Sequence, residues 1–152
     1  MSSTLKTRLS DAVKDAMRAR DSARLGTLRL LQAAIKQKEV DERKDLTDAD
    51  ITAIIEKQVK QRRESVTAYE QAGRHETAAQ ETAEIAVLQE FLPEAADAAE
   101  VDAAITAALE EVHAQGATGP AAMGKVMDLL KARLAGRADM AAVSAQVKAR
   151  LM

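Results

Sequence analysis

Apolar residues recur every three or four positions along almost the whole chain, which is the spacing of amphipathic helices. Near the start, one stripe consists of Leu5, Leu9, Val13 and Met17. Asp21 or Ser22 can cap a second helix, whose inward-facing residues are Leu25, Leu28, Leu31 and Ile35. The pattern therefore predicts two helices before the polar stretch from Asp41 to Asp45.

The third predicted helix has the clearest start signal in the sequence. Thr47 and Asp50 have the spacing of a capping box, and Leu46 and Ile51 occupy the two positions of a hydrophobic staple. Gly73 can adopt the left-handed conformation that ends a helix, after a stripe made of Ile51, Ile54, Ile55, Val59, Val66 and Tyr69. A fourth helix is predicted from about Glu76 to Leu92, ended by Pro93, with Ile85, Leu88 and Phe91 inward.

Composition changes after Pro93, because 19 of the 33 alanines lie in the last 58 residues. In this tail, helix starts are predicted at Asp97, at Gly119-Pro120 and at Asp139. The inward-facing residues are Val101, Ile105, Leu109 and Val112, then Met123, Met127, Leu130 and Leu134, then Val143, Val147 and Leu151. The predicted fold is all-α, with an N-terminal four-helix domain of long helices (1–93) and a C-terminal three-helix bundle (94–152).

Composition also excludes several kinds of chemistry. The chain contains no cysteine, so thiol nucleophiles, disulfides and cysteine metal sites are ruled out. His75 and His113 lie 38 positions apart, without the spacing of metal ligands. No serine or carboxylate stands in a setting that would activate it. We predict no catalytic residues, no metal site and no cofactor, and therefore a helical binding or interaction protein.

Three further properties of the sequence indicate which partners the chain can bind and where it is located. They are its aromatic content, its charge distribution and its hydropathy. Tyr69 and Phe91 are the chain's only aromatic residues, which argues against binding single-stranded nucleic acid by base stacking. The net charge is +5 over residues 1–44, −8 over 45–100 and +1 over 101–152, a bias that fits a solvated surface or a polyanion-binding face. Without an apolar leader or a run of about 20 apolar residues, we expect a cytosolic location and no membrane contact.

The segment from Gly119 to Val126 nearly fits a P-loop. Val126 replaces the required hydroxyl and Pro120 removes a backbone N–H, so a helix start explains the segment better. Gly124 lies inside the predicted helix, where glycine costs roughly 1 kcal/mol relative to alanine. Core packing, or the close approach of a backbone or ligand, would explain it. Lys125 is predicted to project away from the Met123 and Met127 stripe.

In order and spacing, these segments resemble the GatB/YqeY family along nearly the whole chain. The stretch Arg24–Val40 is similar to the family's second helix, Lys57–Arg74 to its third and Glu90–Pro93 to its Leu-Pro junction. The tail follows the family's signature order with Met123–Met127, Gly136–Asp139, Val143 and Val147-Lys148. The family commonly has Asp where this chain has Ala122 and Gly where it has Met140, and these differences would weaken any RNA contact made there.

The resemblance implies kinship with the tail of the B subunit of the glutamine-dependent amidotransferase that corrects mischarged Glu-tRNA(Gln) or Asp-tRNA(Asn). In that enzyme the tail helps to hold tRNA, whereas the chemistry lies on other domains and subunits. The resemblance therefore implies an accessory module that binds tRNA or an amidotransferase protein, with carbon–nitrogen ligase activity only by association.

The tail supplies the expected nucleic-acid contacts, which are Lys125, Lys131, Arg137 and Lys148. Gly124, Gly136 and Asp139 are the motif residues around them, and Lys36 and Arg63 are further candidates outside the tail. The alternative function is a protein–protein adaptor that docks on an amidotransferase or synthetase through the acidic middle helices.

Overall fold

The computed structural model describes residues 4–151 and confirms the all-α prediction, since this part of the chain contains helices and no strand. The chain divides into two compact units, one ending at Pro93 and the other beginning at Glu94. The first, called the N-terminal unit, contains α1 (Thr4–Ala19), α2 (Ser22–Glu42), α3 (Asp48–Gln71) and α4 (His75–Gln89). The second, called the tail unit, contains α5 (Ala98–Ala114), α6 (Gly119–Leu134) and α7 (Met140–Leu151).

The core of the N-terminal unit is made mainly of leucine and isoleucine side chains from all four helices. The inward face predicted for α2 is confirmed, because Leu28, Leu31 and Ile35 are buried. The stripe predicted for α1 is wrong at its end: Met17 is 51% exposed and Ala16 is buried instead. Residues four apart on a helix are offset by about 40°, so a stripe that starts at Leu5 has turned away from the core by Met17.

The start of α3 confirms the predicted capping box and staple. The Asp50 backbone N–H donates to Thr47 Oγ1 at 3.2 Å, and the Thr47 backbone N–H donates to Asp50 Oδ2 at 3.0 Å. Leu46 and Ile51 are both buried. One contact here was not predicted: the Leu5 backbone N–H donates to Asp48 Oδ1 at 3.1 Å, so the first turn of α3 also caps α1.

Two ionic contacts join helices within the N-terminal unit. Glu39 of α2 accepts hydrogen bonds from the Lys6 side chain and, at 3.0 Å, from the Leu46 backbone N–H. Arg62, which interrupts the apolar stripe of α3, donates to Glu81 at 3.2 Å and also to Glu84, both on α4. Its side chain is only 16% exposed, so the interruption is an ion pair between helices.

The fourth helix ends at Gln89, three residues before the predicted end at Leu92. Phe91 is still buried, because a turn in which its N–H donates to the Leu88 carbonyl at 3.1 Å carries it inward. The Arg8 guanidinium lies 5.5 Å from the centre of the Phe91 ring, which is within the range of a cation–π contact. This turn leads to Pro93, where the N-terminal unit ends.

The core of the tail unit is built from smaller side chains. On α6 the buried stripe is Ala122, Val126, Leu130 and Leu134, whereas the predicted Met123 and Met127 are half-buried and flank it. Ala122 and Val126 are smaller than the two methionines, and they belong to one buried cluster with Ala108 of α5. The prediction for Leu151 is also wrong, since it is 41% exposed.

Candidate nucleic-acid interface

The two predicted lysine contacts on α6 lie on its solvent side. Lys125 and Lys131 are both exposed, whereas the buried stripe of the same helix contains Val126 and Leu130. Six residues separate the two lysines, which places them about 9 Å apart along the helix axis. In the described part of the chain neither ammonium forms an ion pair, so both are available to a polyanion.

The third lysine, Lys148, lies on α7 and is also exposed. Val143 and Val147 form the buried face of this short helix, and Lys148 lies just beyond Val147 on the outer side. It forms no ion pair with any other residue that the structure describes. The tail unit therefore carries an exposed lysine on each of the two helices that contain its signature residues.

Arg137 has a different role from the lysines. Its Nε donates to the Glu94 carbonyl at 2.9 Å, and its Nη2 donates to Glu100 Oε2 at 2.6 Å. Its own carbonyl accepts a hydrogen bond from the Ala96 backbone N–H at 2.8 Å. Arg137 therefore ties the α6–α7 turn to the segment that leads into α5, and its guanidinium is already occupied within the unit.

The other two arginines of the tail unit also join helices. Arg133 donates to Glu111 of α5 at 2.6 Å. Arg150 of α7 donates to Thr106 at 2.7 Å and lies 3.5 Å from Asp102, both on α5. Every arginine of the tail unit thus contacts a carboxylate, whereas none of its lysines does among the described residues. The sequence prediction grouped Arg137 with the lysines, because its bridge to Glu100 joins residues far apart in sequence.

Gly124 occupies an open position, which does not fit core packing, one of the two explanations offered for it. It is exposed, and a Cβ added there would meet nothing within 4 Å. Lys131 follows seven residues later, which places it on the same side of the helix. Nothing in the tail unit requires glycine at this position, and its effect is to leave the outer backbone of α6 bare beside two lysines.

The two other motif residues have structural roles. Gly136 has φ +72°, in the left-handed region that follows the end of α6. Asp139 caps α7, because its Oδ1 accepts from the Ala141 backbone N–H at 3.0 Å. These residues set the turn that places Arg137 near Glu100.

The two positions where the chain departs from the family pattern contribute to packing. Ala122 is buried between α5 and α6, so it is not a loop residue that could contact RNA. Met140 is half-buried and packs against the tail core at the first turn of α7. Val126, which takes the hydroxyl position of the P-loop-like segment, is fully buried as well. The tail segment is thus built as a helix with an apolar inner face.

Lys36 and Arg63, the further candidates, belong to the N-terminal unit. Both are exposed, on α2 and α3 respectively. Neither forms an ion pair within residues 4–151. They remain candidate contacts alongside the three lysines of the tail unit.

The tail unit also contains a small cleft with a volume of about 210 Å³. Its lining is mostly apolar, and His113 and Thr118 are its polar side chains. Ligand-binding pockets usually measure about 300–1,000 Å³ and hold convergent polar groups, so this cleft is a poor candidate for a catalytic site. The described residues contain no cluster of three or more His, Cys, Asp or Glu that could hold a metal ion.

The two histidines lie near helix ends. His75 Nδ1 is 2.7 Å from Glu70 Oε2, across the turn between α3 and α4. His113 is in the last turn of α5, the end of a helix at which the dipole attracts positive charge. Among the described residues, no helix is both long enough and apolar enough to span a membrane.

The fold and these side chains define a small all-α protein whose tail carries exposed lysines on an arginine-braced three-helix scaffold. Residues 6–151 match the family described as Yqey-like protein. The chain belongs to this family, which confirms the YqeY part of the resemblance seen in the sequence.

Fungal relatives carry the name altered inheritance of mitochondria protein 41, mitochondrial. The protein from Pyrenophora tritici-repentis is 30% identical over 83% of this chain and 71% of its own length. Those from Lachancea thermotolerans and Eremothecium gossypii are 32% and 36% identical over 68% and 55% of this chain. The chain spans 57% and 46% of the lengths of these last two relatives.

These relatives contradict the expected cytosolic location. All three are named as mitochondrial proteins, and these names overturn the cytosolic expectation. The expectation depended on the lack of an apolar leader. Mitochondrial transit segments are amphipathic and rich in arginine and serine, so hydropathy alone could not distinguish the two locations.

Proposed function

We propose that this chain is an accessory protein that binds tRNA for aminoacyl-tRNA amide transfer and performs no catalysis of its own. The observation that carries the proposal is that the arginines and the lysines of the tail unit make different contacts. Arg133, Arg137 and Arg150 are held by carboxylates, so the charge available to a polyanion comes from Lys125, Lys131 and Lys148.

The chemistry of these lysines fits an RNA backbone better than RNA bases. An ammonium group is a point charge with three donors, and it pairs with phosphate without reading sequence. The deep major groove of an A-form helix does not admit side chains, and double-stranded RNA is recognised mainly by shape and backbone. The bare backbone at Gly124 would let a phosphate or ribose come close to α6 beside Lys125, on the side of the helix that also carries Lys131.

The test is tRNA binding by fluorescence anisotropy over a range of salt concentrations. The affinity of the native chain should fall as salt rises, and each phosphate contact should contribute about 0.7–0.9 to the slope of the log–log plot. A triple variant with Lys125, Lys131 and Lys148 changed to Glu should bind more weakly and show a correspondingly smaller slope. Because all three side chains are exposed, its unfolding transition should match that of the native chain.

A matched control changes three exposed lysines of the N-terminal unit, Lys14, Lys57 and Lys60, to Glu. It has the same net charge as the tail variant, so it separates a local contact from general electrostatic attraction. The control should keep most of the affinity. The proposal is abandoned if the native chain does not bind tRNA at low salt, or if the two triple variants bind equally well.

The adaptor alternative is favoured by the charge of −8 over residues 45–100. An acidic surface suits a basic protein partner better than RNA. The tail variant separates the two functions: if the chain docks through its acidic helices, co-elution with a purified tRNA amidotransferase should persist while tRNA binding is lost. An enzyme acting alone would hydrolyse glutamine, and we expect the purified chain to show no such activity.

A further inference from the structure

The outer face of α2 carries a heptad stripe that no helix of the N-terminal unit covers. Its members are Gly26, Leu30, Ala33, Gln37 and Val40, spaced 4, 3, 4 and 3 residues apart and all exposed. This is the spacing of the a and d positions of a coiled coil. The inward face of the same helix is separate and already packed, through Leu28, Leu31 and Ile35.

Two of these residues are large apolar side chains in contact with water. Leu30 is 59% exposed and Val40 is 60% exposed. Ten residues separate them, or about 15 Å along the helix, and the smaller Ala33 lies between them. A row of this length, with apolar residues near both ends, has the form of a seam for a second helix.

Gly26 adds a second, independent feature to the stripe. It lies inside α2, where glycine is less favourable than alanine, and a Cβ there would meet nothing within 4 Å. The fold of the unit therefore does not require it. A glycine at a seam position lets another backbone approach closely, because the distance between two helices depends on the side chains at the contact.

Three cations line one side of the stripe at intervals of seven residues. Arg29, Lys36 and Arg43 are all exposed, and within the described chain none of them forms an ion pair. With Leu30 as an a position, Arg29 and Lys36 fall at g, the flanking position that selects partners by charge, and Arg43 follows at the C-terminal end of the helix. Arg43 also has φ +54° at the C-cap of α2, a conformation that usually favours glycine or asparagine.

We propose that this face of α2 docks an acidic amphipathic helix of another protein. Aliphatic residues of that helix would pack on Leu30, Ala33 and Val40, and its carboxylates would face Arg29, Lys36 and Arg43. The proposal does not depend on tRNA binding by the tail lysines, since it uses a surface of the other unit. Lys36 is the only residue that it shares with the candidate tRNA contacts.

A second copy of the chain is a poorer occupant on charge grounds. In an antiparallel pair the g positions face each other, so Arg29 and Lys36 would meet like charges. In a parallel pair they would face the e positions, where Asp41 is exposed and Ala34 is half-buried, and at most one cation would gain a carboxylate. RNA would satisfy the cations and leave Leu30 and Val40 without a complementary surface. An acidic helix satisfies both features.

The probe is a synthetic peptide of 21 residues, the length of α2, with Leu at a and d and Glu at e and g. A second peptide has Lys in place of every Glu. Fluorescence anisotropy with the full chain should show saturable binding of the acidic peptide and at least tenfold weaker binding of the basic one. The reverse preference, or no binding of the acidic peptide, would overturn the proposal.

Variants of α2 locate the contact. Leu30→Gln and the triple change of Arg29, Lys36 and Arg43 to Glu should each weaken binding of the acidic peptide at least tenfold, with an unchanged thermal transition for Leu30→Gln. Arg43→Gly is a stricter test: the fold should become more stable, since glycine suits the left-handed C-cap, while peptide binding weakens. The Lys14, Lys57 and Lys60 triple variant serves as the charge control and should bind as the native chain does, as should the tail-lysine variant.

The absence of cysteine allows a test for self-association. Ala33→Cys places the chain's only thiol in the stripe, and Ala53→Cys places one on the exposed side of α3 as a control. Both variants should form disulfide dimers equally slowly under mild oxidation. Rapid dimerisation of Ala33→Cys alone would identify a second copy as the occupant. Loss of tRNA binding in the α2 variants without loss of peptide binding would identify RNA, and either result overturns the proposal.

Discussion

The two units of this protein differ in how many of their arginines are paired. In the tail unit, Arg133, Arg137 and Arg150 all pair with carboxylates of α5. In the N-terminal unit, Arg62 pairs with two carboxylates of α4 and Arg24 pairs with Glu90, whereas Arg29 and Arg43 are exposed and unpaired among the described residues. All arginines of the tail unit therefore brace its fold, whereas some arginines of the N-terminal unit remain available for binding.

The difference follows from the size of the side chains that fill the two cores. The tail unit buries alanine and valine over much of its core, and small side chains remove little apolar area from water. Ion pairs between its helices add geometric constraints that such a core lacks. The N-terminal unit buries mostly leucine and isoleucine. Because such a core depends less on ion pairs, cations on the outer helix faces can remain unpaired. The available charge is consequently lysine in the tail unit and partly arginine in the N-terminal unit.

Of the variants that test this comparison, Arg62→Met is expected to lower the unfolding free energy most. The change removes the guanidinium that serves both Glu81 and Glu84 and leaves two partly buried carboxylates side by side without a cation. Breaking a buried pair costs about 3–5 kcal/mol, and partial exposure reduces this to about 2 kcal/mol here. Urea unfolding followed by circular dichroism measures it. Arg63→Met, at the exposed neighbouring position, should change the unfolding free energy by less than about 0.5 kcal/mol.

Arg137→Met should produce a smaller loss, in the tail unit. It removes the hydrogen bonds to the Glu94 carbonyl and to Glu100, at a site that is half-exposed, so we expect a cost of about 1–2 kcal/mol. Lys125→Met is the control and should leave unfolding nearly unchanged. If Arg137→Met leaves stability intact and lowers tRNA affinity as much as the lysine changes do, Arg137 is an RNA contact and its bracing role is refuted.

Local signals in the sequence predicted most of the fold. The capping box at Thr47 and the caps at Asp21, Asp97 and Asp139 depend on residues two or three positions apart, and all are present. Apolar spacing identified every helix. On α6 it identified Leu130 and Leu134 correctly but placed the first half of the buried face one position too late, because side-chain size pointed to Met123 and Met127. Which of two neighbouring apolar residues faces the core there depends on contacts with the other helices of the unit.

The candidate site was less predictable, since its organisation depends on distant contacts. Arg137 reaches the Glu94 carbonyl across 43 positions, and Asp48 caps α1 across the same separation. No periodicity reports such pairs, so the sequence could not separate a bracing arginine from an available lysine. The outer stripe of α2 could have been found from its heptad spacing alone. It was hidden because the same helix has an inward stripe with larger residues.

Acid should weaken the N-terminal unit through two of its carboxyl groups. Hydrogen bonds from the Lys6 side chain and from the Leu46 N–H lower the pKa of Glu39 below its ordinary value of 4.5, and bonds from Thr47 lower the pKa of Asp50 below 3.8. Both groups are held as carboxylates, so their stabilising effect is complete above these ordinary values and is lost as the pH falls through the lowered ones.

The measurement that checks this is the thermal transition as a function of pH. Glu39→Gln should lower the transition temperature at neutral pH, and the difference from the native chain should disappear in acid, where the native carboxyl is protonated. Glu42→Gln, at an exposed position of the same helix, should show no such pH-dependent difference. A constant effect of Glu39→Gln at all pH values would mean that packing, not charge, accounts for its role.

The smallest effects are expected at the two exposed glycines, which test both proposed surfaces together. Gly26→Ala and Gly124→Ala meet no steric obstacle, so each should raise the unfolding free energy by up to about 1 kcal/mol. If the glycines serve binding, each gain in stability is accompanied by a loss of affinity for one ligand. Gly26→Ala should weaken binding of the acidic peptide and leave tRNA binding unchanged. Gly124→Ala should weaken tRNA binding and leave peptide binding unchanged. Two stabilised variants with unchanged affinity for both ligands would show that neither glycine has a binding role, and each surface would then depend on its cations and apolar side chains alone.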